Sequence, residues 1–387
     1  MPPIKEFVRS KHISYLKRAL TLLPKQYASN DTNRMTLAFF CLSGLDLLGA
    51  LESEIPEERK KTWIDWIYAQ QILPDEKNPE INEKICGFRG SPFSGLPFDP
   101  NGSRESRLPF DAANLAMTYT ALTSLLILGD DLSRVNRSSI VNSLKYLQKD
   151  DGSFTQTYQG MESDMRFLYC AVVISYILND FSGIDIEKAI DYIKNSQSYD
   201  FGIGQGPGEE SHGGSTYCAI SSLYLLNKLD EGLLSKEKTL FWLISRQESG
   251  FQGRANKPPD TCYSFWIGAS LKMLDKLELI NHEQNHNFLM QTQSKFGGFA
   301  KSIENYPDVM HTYLGIAGLS LMNEPGFLEL DPAFIRDRLT CQRPLTLFID
   351  SFKIDAFIIN IQKSIIKEGT KEKWYIRRIT LISIQQG

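Results

Sequence analysis

A chain of 387 residues, 42% apolar and 23% charged, has the make-up of an ordinary globular protein with enough apolar residues for a large core. A net charge of −4 lacks the basic excess of a nucleic-acid-binding protein, and no run approaches 18 uninterrupted apolar residues, so neither nucleic acid nor a membrane span is expected. The N-terminal "MPPIKEFVRSKHISYLKRAL" has no apolar signal core, and the six cysteines are scattered, which reads as a cytoplasmic chain with reduced thiols.

In chain order, "RMTLAFFCLSGLDLLGAL", "LAMTYTALTSLLIL", "DMRFLYCAVVISYIL", "GGSTYCAISSLYLLNKL", "DTCYSFWIGASLKML" and "VMHTYLGIAGLSLM" are helix-length and apolar on more than one face, as deeply buried helices are. More amphipathic stretches alternate with them, among them "SSIVNSLKYLQ", "IEKAIDYIKNSQ" and "EKTLFWLISRQ". These end in a recurring signature at Gln148, Gln197, Gln247 and Gln293, which lie 49, 50 and 46 residues apart, each followed by glycine and phenylalanine. A period near fifty marks stacked helix pairs. The glycines are expected to cap the outer helices in the left-handed conformation, and the phenylalanines to pack the turns into the core. The fold class is all-α, an α/α toroid of repeated helix pairs over roughly residues 5–340. Residues 341–387 carry no repeat signature, and their last 27 residues hold six basic and two acidic groups. They read as a separate C-terminal tail of unassigned role.

One segment concentrates chemistry: "GRANKPPDTCYSFW", residues 253–266. Pro258 and Pro259 exclude helix, Asp260 stands where an N-cap belongs, and Cys262 falls in the first turn, where backbone N–H groups lower a thiol pKa. Taken alone, this reads first as a capping aspartate, a buried cysteine and core aromatics. A third ligand changes the balance. His311 opens the next inner helix 49 residues on, one repeat along, and faces the cavity at nearly the level of Cys262. Carboxylate, thiolate and imidazole together suit zinc, with one position open for chemistry. Around the same rim, His212, Arg254 and Lys257 sit at turns entering inner helices, and Gly213 and Gly214 open one of them. That combination suits a phosphate or diphosphate; solvated surface charge is the plainer reading of any one of these residues.

The blocks "LAFFCLSGLDLL", "DMRFLYCA", "ESHGGSTYC", "GRANKPPDTCYSFW" and "GGFAKSIENYPDVMHTYLGIAGLSLM" resemble the β subunits of protein prenyltransferases over about residues 10–330, most closely those of type I geranylgeranyltransferase. The resemblance implies zinc ligands at Asp260, Cys262 and His311. It implies a diphosphate grip from His212, Arg254, Lys257 and Tyr263, with Arg166 nearby, and a prenyl chain along Trp266. It further implies geranylgeranyl transfer from geranylgeranyl diphosphate to the cysteine of C-terminal CaaX motifs, X often Leu, on proteins such as Rho/Rac-type small GTPases. An obligate α subunit comes with it. Thr36 falls where the farnesyl enzyme closes its lipid pocket with tryptophan, and so leaves room for a longer chain. Lys301 falls where that enzyme recruits magnesium through an aspartate, so Mg2+ should not be required, and Lys301 and Tyr263 become the expected catalytic groups.

Rival readings are a Rab geranylgeranyltransferase or farnesyltransferase β subunit. From other classes come a terpene-cyclase-like toroid, for which the chain lacks a D-x-D-D acid motif, and a non-catalytic scaffold, which would be expected to have lost its zinc ligands.

Overall fold

Each stretch that is apolar all round becomes an inner helix, and each amphipathic one an outer helix. In the computed structural model, which describes residues 6–74, 79–95, 111–334 and 336–337, the first helices are α1 (Arg9–Thr21), α2 (Arg34–Leu47), α3 (Ala50–Glu54), α4 (Glu57–Tyr68), α5 (Pro79–Ile85), α6 (Leu115–Ile127) and α7 (Arg137–Leu147). They are followed by α8 (Met165–Leu178), α9 (Ile186–Asn195), α10 (Gly213–Leu225), α11 (Leu229–Gly232), α12 (Lys236–Ile244), α13 (Tyr263–Met273), α14 (His282–Thr292) and α15 (Val309–Leu321). Helices α2, α6, α8, α10, α13 and α15 pack side by side in that order, and α15 returns to α2, closing the ring. The expected toroid is present. Among the described residues no helix is long and apolar enough to cross a membrane.

Local polar chemistry starts these helices. Asn114, Asp164, His212 and Asp308 cap inner helices by accepting hydrogen bonds from first-turn N–H groups; Asn136, Asp185, Ser235 and Asn281 do the same for outer helices. Short antiparallel pairs, β1 (Gln71–Ile72) with β2 (Gly87–Phe88), β3 (Phe154–Thr155) with β4 (Ser163–Asp164), and β5 (Phe299–Ala300) with β6 (Pro307–Asp308), lie between the helices, and β7 (Leu330–Asp331) with β8 (Arg336–Asp337) follows α15. The β3–β4 and β5–β6 hairpins lead directly into α8 and α15.

The repeated glutamines are staples. The Gln148 side chain accepts from Asp185 N and donates to Asp185 O; Gln247 does the same with Asn281; Gln197 accepts from Leu234 N and donates to Gly232 O. Each therefore fixes the start of the next outer helix. Gln293 closes the series on the first helix: it accepts from Val8 N and donates to Glu6 O. Its oxygen also lies 2.8 Å from His12 Nε2. Burial holds the His12 pKa down at about 4 against the opposing pull of Gln293, so this histidine is a neutral donor in the closure.

The glycine-cap expectation is corrected. Helix α7 ends at Gln148 in extended backbone, and the left-handed residue is Gly152, four positions on, where a Cβ would lie 2.0 Å from Lys188 O. Glycine is there because the turn passes against the next helix, not because it ends its own. The phenylalanines behave as expected at Phe154, Phe251 and Phe299, all fully buried. In the second repeat Ile203 takes that position, while Phe201 is half-buried with φ +66°.

Inside, the first two turns of the inner helices carry a girdle of aromatics. Phe39, Tyr119, Tyr169, Tyr217 and Phe265 follow one another with ring centroids 5.2–5.7 Å apart, and Tyr313 meets Phe39 at 5.8 Å. From the other end the turn Asp331–Phe334 inserts, and Ala333 O accepts from Tyr169, Tyr217 and Ser221 at 3.0, 3.3 and 3.0 Å. By its contacts the chain separates into units Met1–Thr340 and Cys341–Gly387; the tail lies outside the described residues.

Gln293→Ala should cost about 2–3 kcal/mol, because it leaves the buried His12 ring and two part-buried backbone groups unpaired, and Gln247→Ala about 1 kcal/mol at its more exposed staple. Thermal unfolding of both variants checks this; equal shifts would show that ring closure has no special weight.

Candidate metal and anion site

The N-terminal ends of the inner helices gather the site. Asp260 N donates to Phe251 O, Thr261 N to Lys301 O, and the Thr261 hydroxyl to Ala300 O, which ties the start of α13 to strand β5. Asp260 Oδ1 accepts from Cys262 N at 2.9 Å. At the start of α15, Asp308 accepts from His311 N and lies 2.6 Å from His311 Nδ1, so His311 Nε2 faces Asp260 Oδ1 at 3.2 Å. The candidate ligand atoms of Asp260, Cys262 and His311 all lie within 4.8 Å of one another, and all three residues are buried. Lys301, on the β5–β6 hairpin, places Nζ 3.9 Å from Asp260 Oδ2 and is otherwise well exposed.

The triad concentrates negative charge around one shared proton. Burial opposes charge on Asp260, but hydrogen bonds from His311 and the Cys262 N–H outweigh it and hold the carboxyl below its usual range. Burial likewise opposes charge on His311, yet Asp260 and Asp308 on either side lift it to about 9. A proton thus sits where a metal ion's charge would be most favourable, and the N, O and S donors match zinc. Two expectations change here. Helix α13 begins at Tyr263, with Cys262 at its N-cap position and Asp260 in the turn before. Burial first, then the Asp260 charge, pushes the Cys262 thiol well up rather than down, because desolvation outweighs the helix terminus.

Beside the triad, Tyr263 Oη lies 3.0 Å from His212 Nε2. His212 Nδ1 accepts from Gly214 N, so Nε2 carries the hydrogen and donates to Tyr263, leaving the tyrosine O–H free to donate outward. Burial lowers the His212 pKa, and the nearby Arg254 and Arg166 charges lower it further. His212 therefore acts as a neutral orienting group for Tyr263. Arg254 pairs with Glu210 at 2.8 Å, Arg166 pairs with Asp164 and Glu162, and Lys257 is exposed on the same turn as Arg254. Gly213 and Gly214 do not present free amides to an anion. Gly213 N donates to Gly253 O and Gly214 N to His212. The glycines instead make room: a Cβ would lie 3.0 Å from Tyr263 Cδ1 at Gly213 and 2.0 Å from Tyr263 Cζ at Gly253.

Trp266 packs on Tyr217 and Phe265 at 4.9 and 5.0 Å, half-buried on the girdle. Thr36, also half-buried, lies across from α6 with Oγ1 3.3 Å from Met117 Sδ, one turn before Phe40, which stacks on Tyr313. Sequence reasoning missed Asp308, Glu210 and Gly253. For Asp308 the signal was an acid three residues before His311, at the start of a buried helix. A groove of about 550 Å³, lined in part by Leu37, Trp63 and Trp66, includes none of the triad or rim residues.

Fold and site together define a toroidal α/α domain whose inner-helix N-termini bring together a Cys/His/Asp group able to hold a metal ion beside a cationic rim. Residues 7–336 match the prenyltransferase alpha-alpha toroid domain, and the chain belongs to this family of prenyltransferases. The expected likeness to type I β subunits holds. The chain is 45% identical over 328 residues to the geranylgeranyl transferase type-1 subunit beta of Dictyostelium discoideum, covering 83% of this chain and 93% of the relative. It is 42% identical over 341 residues to that of Arabidopsis thaliana, covering 85% and 89%. A solved structure, "Candida albicans protein geranylgeranyltransferase-I complexed with GGPP", superposes with TM-score 0.75 at 28% identity, covering 87% of this chain and 98% of that one.

Gly253→Ala should force Tyr263 off its His212 contact, costing about 1–3 kcal/mol of stability by overpacking. Calorimetric titration with inorganic diphosphate should then show weaker binding while zinc is retained. Unchanged diphosphate affinity would remove Tyr263 from the anion grip.

Proposed function

We propose that this chain is the β subunit of a zinc-dependent type I protein geranylgeranyltransferase, working with an α subunit in the cytoplasm. It would move geranylgeranyl from geranylgeranyl diphosphate to the cysteine of C-terminal CaaX sequences, X often Leu, as on Rho/Rac-type small GTPases. The observation that carries this reading is the buried triad of Asp260, Cys262 and His311 beside the Tyr263–Arg254 rim. It is supported by likeness to chains called type-1 subunit beta and to a transferase solved with GGPP.

Zinc held by Asp260, Cys262 and His311 would lower the pKa of a substrate thiol so that the thiolate is present at neutral pH. The chain's own residues do the rest. The free Tyr263 O–H, with Arg254, Lys257 and Lys301, meets the negative charge that grows on the departing diphosphate. Arg166 adds positive potential nearby. Trp266 and the girdle take the hydrocarbon, so thiol and lipid carbon meet in one orientation. Lys301, already beside Asp260, supplies charge of the kind magnesium would bring, so magnesium should not be needed.

The direct test is co-expression with a candidate α subunit and assay of prenyl transfer to peptides ending in Leu or Ser. Geranylgeranyl transfer to the Leu peptide is expected, with Cys262→Ala and His311→Ala each losing zinc and activity. Farnesyl transfer to the Ser peptide alone, or full zinc occupancy in both variants, would overturn the reading.

Thr36→Trp should convert the lipid preference. The indole fills space beside Met117 that the fourth isoprene needs, and excluding five carbons at about 0.8 kcal/mol each forfeits roughly 4 kcal/mol. Values of kcat/KM for both diphosphates decide: a true ruler raises farnesyl while lowering geranylgeranyl, and equal losses mean simple overpacking.

A further inference from the structure

We propose that the N-terminal helix α1, with Tyr27 just beyond it, is a positioning element for the metal site, acting through the β5–β6 hairpin on Asp308 and His311; this rests on the zinc reading above. The hairpin is held at both strands of its base. On the β5 side His12 Nδ1 accepts from Gly298 N at 3.2 Å. On the β6 side Tyr15, one turn along α1, donates to Pro307 O at 3.0 Å. Tyr27 Oη accepts from Val309 N at 3.2 Å. Pro307 and Val309 flank Asp308, whose carboxylate sits 2.6 Å from His311 Nδ1 and so turns Nε2 toward Asp260.

The double glycine of "KFGGF" fits this role. A Cβ on Gly297 would lie 2.1 Å from Lys11 O, and on Gly298 3.1 Å from Tyr15 Cζ, with both residues at positive φ. The backbone of α1 therefore lies directly against the hairpin, in a space only glycine leaves open. A carboxylate behind a ligating imidazole fixes the ring's orientation, and groups of this kind change metal affinity by about 10–100-fold when removed. Tyr15 and Tyr27 stand one step further back: they hold the backbone on either side of that carboxylate.

The test uses the heterodimer carrying Tyr15→Phe/Tyr27→Phe, which keeps both rings and removes only the hydroxyls, and Tyr27→Phe alone should the double variant fail to fold. Zinc affinity is read by competition with a chelator, and ligand geometry by the absorption bands of the cobalt-substituted protein. The tyrosine variants should bind zinc roughly tenfold more weakly, at the low end of the range for removed outer-shell groups, with altered cobalt bands. Asp308→Asn should weaken zinc at least as much, and affinity for geranylgeranyl diphosphate should stay within about twofold. Wild-type zinc affinity and cobalt bands in the tyrosine variants would overturn the proposal, as would a parallel loss of lipid diphosphate binding, which marks general loosening of the mouth. His311→Ala separates the two readings: zinc retained there means that the ligand assignment has failed, and the positioning role with it.

Discussion

Everything in this molecule depends on the last repeat meeting the first. An array of helix pairs can grow indefinitely, with each glutamine fixing the start of the next outer helix. Here the fourth glutamine finds α1 instead, in a hydrogen bond to Val8 that spans 285 residues of sequence. The entropy of closing so long a loop rises only slowly with its length. A handful of buried polar contacts and the packing of α15 on α2 therefore offset it. Closure also turns six parallel inner helices into a wall with an inside, without which the aromatic girdle would be exposed apolar surface.

Parallel inner helices bring their N-termini to one mouth, and that fixes the electrostatics. Helix ends with positive partial charge, together with Arg166, Arg254, Lys257 and Lys301, make the rim attractive to an anion. The described structure balances two of these cations with rim carboxylates, Arg254 with Glu210 and Arg166 with Asp164 and Glu162. One step inward, the sign of the preferred ligand changes. Asp260 and Asp308 close on His311 from either side, and their negative charge favours a cation. A candidate cation site and a candidate anion site thus lie within one helix turn of each other, meeting at Cys262 and Tyr263, which are adjacent in sequence. The chain itself also reaches into the interior at Ala333, whose carbonyl oxygen accepts from the hydroxyls of Tyr169, Tyr217 and Ser221.

Much of this was legible before any coordinates. Hydrophobicity on all faces marked the inner helices, and the spacing of Gln148, Gln197, Gln247 and Gln293 gave the period. That period converted the 49 residues between Cys262 and His311 into a statement about level, which the structure bears out by placing both in one buried cluster with Asp260. Repeat proteins permit this because sequence distance maps onto spatial position almost linearly.

What the sequence determined by itself was therefore the class of fold, the order of helices and the identity of the triad, since these follow from residue type and period. Only the tertiary structure decided how those residues behave. It raised the Cys262 thiol by burial, made His212 a neutral partner of Tyr263, and spent the amides of Gly213 and Gly214 on internal bonds. It also brought Asp308 behind His311 and Tyr15 and Tyr27 beside Asp308. Proton affinity and hydrogen-bond choice depend on solvent exclusion and on partners hundreds of residues away, and neither is a property of any local stretch of chain.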